Sequence, residues 1–119
     1  MARVLVVDDA REAIEFIENA LRSAGHEVSA ALDARGLEER IATERPDLLL
    51  LDVVLPERNG FQVLRELRRA EGTRDLPVIL VSSKKEPTDV EWGMLQGATA
   101  YLTKPFSADH LRELVSRHA

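Results

Sequence analysis

The chain has 119 residues, 45% of them apolar and 31% charged, enough for one globular domain with a real core and too ordered in composition for a disordered tract. A formal net charge of −5 argues against direct contact with nucleic acid, and the absence of cysteine excludes a disulfide framework and thiolate metal sites. No apolar run nears the roughly 18 residues that span a bilayer, and the first residues are too short and acidic for a signal peptide, so a cytoplasmic protein without membrane insertion is expected.

Val4–Val7 is an apolar run that ends in two acids, Asp8 and Asp9. Ala13, Ile17, Ala20, Leu21 and Ala24 then share one helical face, and Gly25 stops that helix. Asp9 with Glu12 has the spacing of a helix cap, which is the alternative to a chemical role for Asp9. Glu27–Ala31 reads as a weaker strand, and Asp33 stands where it could cap a short helix bearing Leu37 and Ile41.

Four leucines, Leu48–Leu51, lead straight into Asp52, after which VVLPERNG breaks the pattern. A short, wholly apolar run between turn residues suits a strand buried on both faces, as in the middle of a parallel sheet. Phe61, Leu64 and Leu67 predict an amphipathic helix ending near Gly72. Arg65, Arg68 and Arg69 on it, with Glu66, read as a solvated, self-paired face. Pro77–Ser82 is a third strongly apolar strand, ending in hydroxyls.

Thr88 and Glu91 have capping-box spacing for a fourth helix whose apolar side would be Val90, Met94 and Leu95. Gly93 interrupts it at a cost of about 1 kcal/mol relative to alanine, making it the most labile helix. Trp92, off the stripe, reads as core in preference to a partner contact. Ala100–Thr103 is a short last strand, followed by Lys104-Pro105, and Ser107 caps a final helix with Leu111, Leu114 and Val115. His26, His110 and His118 lack ligand spacing.

Five strands alternating with five helices imply an α/β fold: a doubly wound parallel sheet with helices on both faces and right-handed crossovers. In such a sheet all C-terminal strand ends share one edge, where ligands bind. Asp8, Asp9, Asp52, Ser82 and Lys104 would meet there. Clustered carboxylates repel unless a hard cation such as Mg²⁺ joins them, with a phosphoryl oxygen completing its octahedron. Lys104 adds positive charge without filling a metal site, and Ser82 can donate to an anionic oxygen. Taken singly, Asp52 could cap a turn and Ser82 could be an ordinary strand-end hydroxyl. There is no GxSxG, P-loop or GxGxxG, so acyl transfer and nucleotide binding by those devices lack support.

Asp8-Asp9 after VLVV, LLLLDVVLPERNG, PVILVSS and GATAYLTKPF together resemble the receiver domain of two-component response regulators, over essentially the whole chain, residues 1–119. The resemblance implies the flavodoxin-like strand order 2-1-3-4-5, for which chemotaxis receivers are a standard example. It implies that Asp52 accepts a phosphoryl group from a histidine kinase or phosphotransfer protein. Asp8, Asp9, Asp52 and the backbone carbonyl of Val54 would hold Mg²⁺. Lys104 would pair with a phosphoryl oxygen, Ser82 would shift to bond it, and Tyr101 would be the switch aromatic, the alternative being a plain half-buried tyrosine. Lys104-Pro105 would be a cis peptide.

The resemblance also implies a signalling protein rather than an enzyme, one that assists its own phosphorylation and dephosphorylation. It would be a monomer or weak dimer, docking a downstream protein through the fourth helix, fifth strand and fifth helix. The WGMLQGA stretch looks like pilus-motility regulators. The alternatives are a receiver belonging to a larger regulator with a DNA-binding or enzymatic output, an aspartyl-phosphate phosphatase, and a phosphorylation-independent binding module. A phosphatase needs a second acid two residues after its nucleophile, where Val54 stands. Val54 and Lys84 depart from the polar and the acidic or amide residues frequent at their positions, and Ser83 replaces a usual small residue.

Overall fold

In the computed structural model, which describes residues 1–119, strands and helices alternate without exception. They are β1 (Arg3–Val7), α1 (Arg11–Arg22), β2 (Glu27–Ala31), α2 (Leu37–Glu44), β3 (Leu48–Asp52), α3 (Gly60–Arg69), β4 (Val78–Ser82), α4 (Pro87–Leu95), β5 (Ala100–Thr103) and α5 (Ala108–His118). The strands form one parallel sheet in the order β2-β1-β3-β4-β5. No helix is long and apolar enough to cross a membrane.

Successive strand residues point to opposite faces, and this explains the four leucines. Leu49 and Leu51 enter one core with Leu5, Val7, Leu37, Leu64 and Leu67. Leu48 and Leu50 enter the other with Val4, Val6, Ile17, Leu21, Leu111 and Val115. Helices cover both faces, so a central strand has no solvent side on which to place a polar residue. Every residue of β3 and β4 is buried.

Several local expectations are corrected. Helix α1 ends at Arg22, and Ala24 lies exposed in the turn that Gly25 closes at a φ of 89°. Its buried stripe includes Ile14 instead. Helix α2 is entered through Gly36 in the left-handed region, while Asp33 accepts the Arg35 amide in a preceding turn. Helix α3 stops at Arg69. Helix α4 is entered two residues earlier than the Thr88–Glu91 spacing predicts: Glu86 is the N-cap, Pro87 the first helical residue, and the Asp89 carboxylate accepts the Glu86 amide at 3.2 Å. Proline at that position loses nothing, because its missing N–H would have had no partner.

The largest correction concerns the side of α4 that faces the protein. Met94 and Leu95 are exposed, as is Trp92, and Gly93 is the one buried residue of the helix. Arg68 is also not a solvated charge. Its Nε donates to the Gly97 carbonyl at 2.9 Å and its Nη1 to the carbonyls of Thr73 and Arg74, both at 3.2 Å. Glu66 pairs with Arg58 instead of its arginine neighbours on α3.

Candidate functional site

The register of the sheet brings the chemistry-bearing residues to one rim. Val7 lies beside Leu51, Asp52 beside Val81 and Ser82 beside Thr103, so the C-terminal ends of β1, β3, β4 and β5 are level. Asp8 and Asp9 follow β1, Asp52 ends β3, Ser82 ends β4 and Lys104 follows β5. Each side chain at this edge ends or follows a largely apolar strand, so the register of the sheet sets its place along the rim.

Asp8 and Asp52 are buried, 1% and 6% exposed, whereas Asp9 is open to solvent. One carboxylate oxygen from each of the three lies within 4.8 Å of the others. Lys104 Nζ donates to Asp8 Oδ2 at 2.8 Å and to Asp52 Oδ2 at 3.4 Å. The remaining oxygens are met by backbone: Asp8 Oδ1 accepts the Ala10 amide at 2.9 Å, and Asp52 Oδ1 accepts the Val54 amide at 3.2 Å. The N-cap of α1 is Ala10, with no side-chain cap, so Asp9 does not perform the capping that its spacing with Glu12 allowed.

These neighbours pull Asp52 in opposite directions. Burial and then the Asp8 charge push its carboxyl up, while Lys104 and the Val54 amide pull it back, leaving it at about 6. Burial alone would lower the Lys104 ammonium, but its bond to Asp8 and the charges of Asp52 and Asp8 outweigh that and raise it. One ammonium thus serves two carboxylates and neutralises only one. The residual negative charge, offered by hard oxygen donors, fits a divalent cation of the Mg²⁺ kind.

Ser82 is fully buried, and its Oγ accepts the Lys84 amide at 3.1 Å. The Tyr101 hydroxyl donates to the Lys84 carbonyl at 2.7 Å. The backbone of one residue, Lys84, therefore ties the strand-end hydroxyl of β4 to the aromatic ring of β5. Burial raises the Tyr101 phenol above its ordinary pKa. The Lys104 amide donates to the Ser82 carbonyl at 2.8 Å, and the Lys104–Pro105 peptide is cis.

The parts that Gly60 and the peptide group of Lys84 play at the rim were not read from sequence. A side chain at Gly60 would put its Cβ 2.3 Å from the Asp52 carbonyl oxygen and 2.7 Å from Val53 Cα, so only glycine lets α3 begin against the end of β3. The Asn-Gly pair signals a turn, but not this close approach. Lys84 acts through its amide and carbonyl, which any residue supplies, and no side-chain pattern could reveal that. Val54 is 53% exposed beside Asp52 and forms an isolated bridge with Asn59.

A family model described as the response regulator receiver domain matches residues 4–116. The chain is 38% identical to protein PilH of Pseudomonas aeruginosa over 116 residues, covering 98% of this chain and 96% of that protein. Among solved structures it is similar to the chemotaxis protein CheY4 of Vibrio cholerae, with a TM-score of 0.91, 29% identity and coverage of 100% and 99% of the two chains. It is also similar to the BeF3-activated N-terminal receiver domain of RstA from Klebsiella pneumoniae, with a TM-score of 0.89, 28% identity and coverage of 98% and 97%.

Proposed function

The chain belongs to the response regulator receiver family of two-component signalling, and from that membership we propose that residues 1–119 act as one phosphoacceptor unit with Asp52 as the acceptor. The phosphoryl donor is a phosphohistidine on a histidine kinase or a phosphotransfer protein. An Asp52 oxygen attacks phosphorus, the P–N bond breaks, and its electron pair leaves with the imidazole. The carboxyl of Asp52 is held at about 6, so at neutral pH it is mostly the carboxylate that the attack requires.

Asp8, Asp9 and Asp52, with the Val54 carbonyl, would hold Mg²⁺, which offsets charge on the transferring group. Lys104 Nζ, now shared between Asp8 and Asp52 at 2.8 and 3.4 Å, is positioned to follow the negative charge onto a phosphoryl oxygen. The Ser82 hydroxyl sits beside the same rim. Turning toward a phosphoryl oxygen would release the Lys84 amide that it now accepts, and Lys84 carries the Tyr101 hydroxyl on its carbonyl. A charge change at Asp52 would thus reach the face formed by α4, β5 and α5, where a downstream protein docks. The protein acts in the cytoplasm as a signalling switch that assists its own phosphorylation and dephosphorylation.

The observation that carries this reading is the meeting at one rim, from three separate strand ends, of three carboxylates within 4.8 Å of one another and one ammonium bonded to two of them. Incubation with phosphoramidate or acetyl phosphate tests it. The expected result is one phosphoryl group added by mass, dependent on Mg²⁺ and lost in Asp52→Asn. Labelling that persists in Asp52→Asn, or no labelling of the wild type, would overturn it.

A further inference from the structure

Helix α4 lies on the sheet with its least bulky residue inward. Gly93 is buried while both its neighbours, Trp92 and Met94, are exposed. The reason lies beneath it. A Cβ on Gly93 would stand 2.8 Å from Leu80 Cδ1 and 3.0 and 3.2 Å from Tyr101 Cδ2 and Cε2. Leu80 is fully buried in β4, and Tyr101 is pinned by its hydroxyl at 2.7 Å from the Lys84 carbonyl. The half-buried ring can yield only toward solvent, giving up that bond. The cost of a glycine within a helix is accepted where the helix must approach its neighbours this closely.

We propose that Gly93 is the positioning residue for Tyr101: its missing side chain admits the ring between α4 and the sheet and lets the hydroxyl reach Lys84. This rests on the switch role given to Tyr101 above and extends it to α4. The ring's place then sets how α4 sits, and with it the exposed Trp92, Met94 and Leu95. Gly93 is remote from the rim chemistry and acts only through the ring.

The chain contains a single tyrosine, so the absorbance of tyrosinate near 295 nm reports Tyr101 alone. The groups bearing on this phenol are Ser82 and Asp52 at the rim and Asp89 on α4, and Gly93→Ala removes none of them. In Gly93→Ala the ring is displaced toward solvent, and its titration midpoint falls from the raised wild-type value toward that of a free phenol. The Tm of the same variant falls, although alanine is the better helix former. In a Tyr101→Ala background the ring is gone and leaves Leu80 Cδ1 room to yield, so Gly93→Ala then lowers the Tm less than it does in the wild type. Phosphorylation of Asp52 by phosphoramidate is measured on Gly93→Ala and is expected at the wild-type level.

An unchanged phenol titration in Gly93→Ala would overturn the inference, as would an equal Tm loss in both backgrounds. Loss of Asp52 labelling in the wild type would instead sink the phosphoacceptor reading. If Gly93→Ala does not fold, the double variant Gly93→Ala/Tyr101→Ala still decides: folding regained supports the proposal, and folding not regained refutes it.

Discussion

At the scale of single residues, Val54 is where this rim departs from polar neighbours. Its amide is committed to Asp52 Oδ1 at 3.2 Å, while the residue is 53% exposed and apolar. A water approaching an acyl phosphate on Asp52 finds no hydrogen-bonding side chain at position 54. Val54→Asn would supply one, worth about 1 kcal/mol, or roughly a fivefold faster autodephosphorylation. Acyl-phosphate half-lives of the two proteins check this, and equal half-lives would defeat it. The residues that meet at the rim were legible in the sequence because Asp8, Asp52, Ser82 and Lys104 each punctuate an apolar run, a contrast that survives without coordinates. Gly60 and Lys84 were not, since one works by an absent side chain and the other by its peptide group.

At the scale of elements, strands were more legible than helices. A buried strand declares itself by apolar content, and the bounds of β2, β3 and β5 match the runs that predicted them. Helix α4 deceived because periodicity locates an apolar stripe and does not say whether the sheet or the solvent receives it. Arg68 misled for the opposite reason: a charge on an amphipathic helix usually faces water, but this one spends its donors on three loop carbonyls. It fastens the end of α3 to the turn before β4 and to Gly97, whose φ is 105°, ahead of β5. Arg68→Ala would leave those carbonyls without their charged donor and lower stability by about 2 kcal/mol. Arg69→Ala, exposed on the same helix, should stay within roughly 0.5 kcal/mol. Urea unfolding of the two variants separates the clamp from the bland reading, and equal midpoints would refute it.

At the scale of the whole molecule, the rim is in tension with the fold that builds it. The parallel order 2-1-3-4-5 forces Asp8, Asp9 and Asp52 together, and Lys104 cannot neutralise them all. The Asp52 carboxyl is raised from 3.8 to about 6 by burial and by Asp8, so the native state binds this proton more tightly than the unfolded chain. By linkage the resulting destabilisation is absent below about pH 4, builds through the window between 4 and 6, and is complete above it. A shift of that size corresponds to about 3 kcal/mol at most, reduced by solvent at the open rim to roughly 1–2 kcal/mol. Without divalent cations, Asp52→Asn should therefore be more heat-stable than the wild type at pH 8, by roughly 5 °C. The gap should narrow steadily as the pH is lowered toward 4, where both proteins carry a neutral side chain at this position. Magnesium should then raise the wild-type Tm at pH 8 more than that of Asp52→Asn, because it binds the native carboxylates and not the unfolded chain. Scanning calorimetry of both proteins across this pH range, with and without Mg²⁺, measures each part. A wild type as stable as Asp52→Asn at pH 8 without metal would mean that the carboxylates are not in conflict, and the case for a cation at this rim would lose its physical basis.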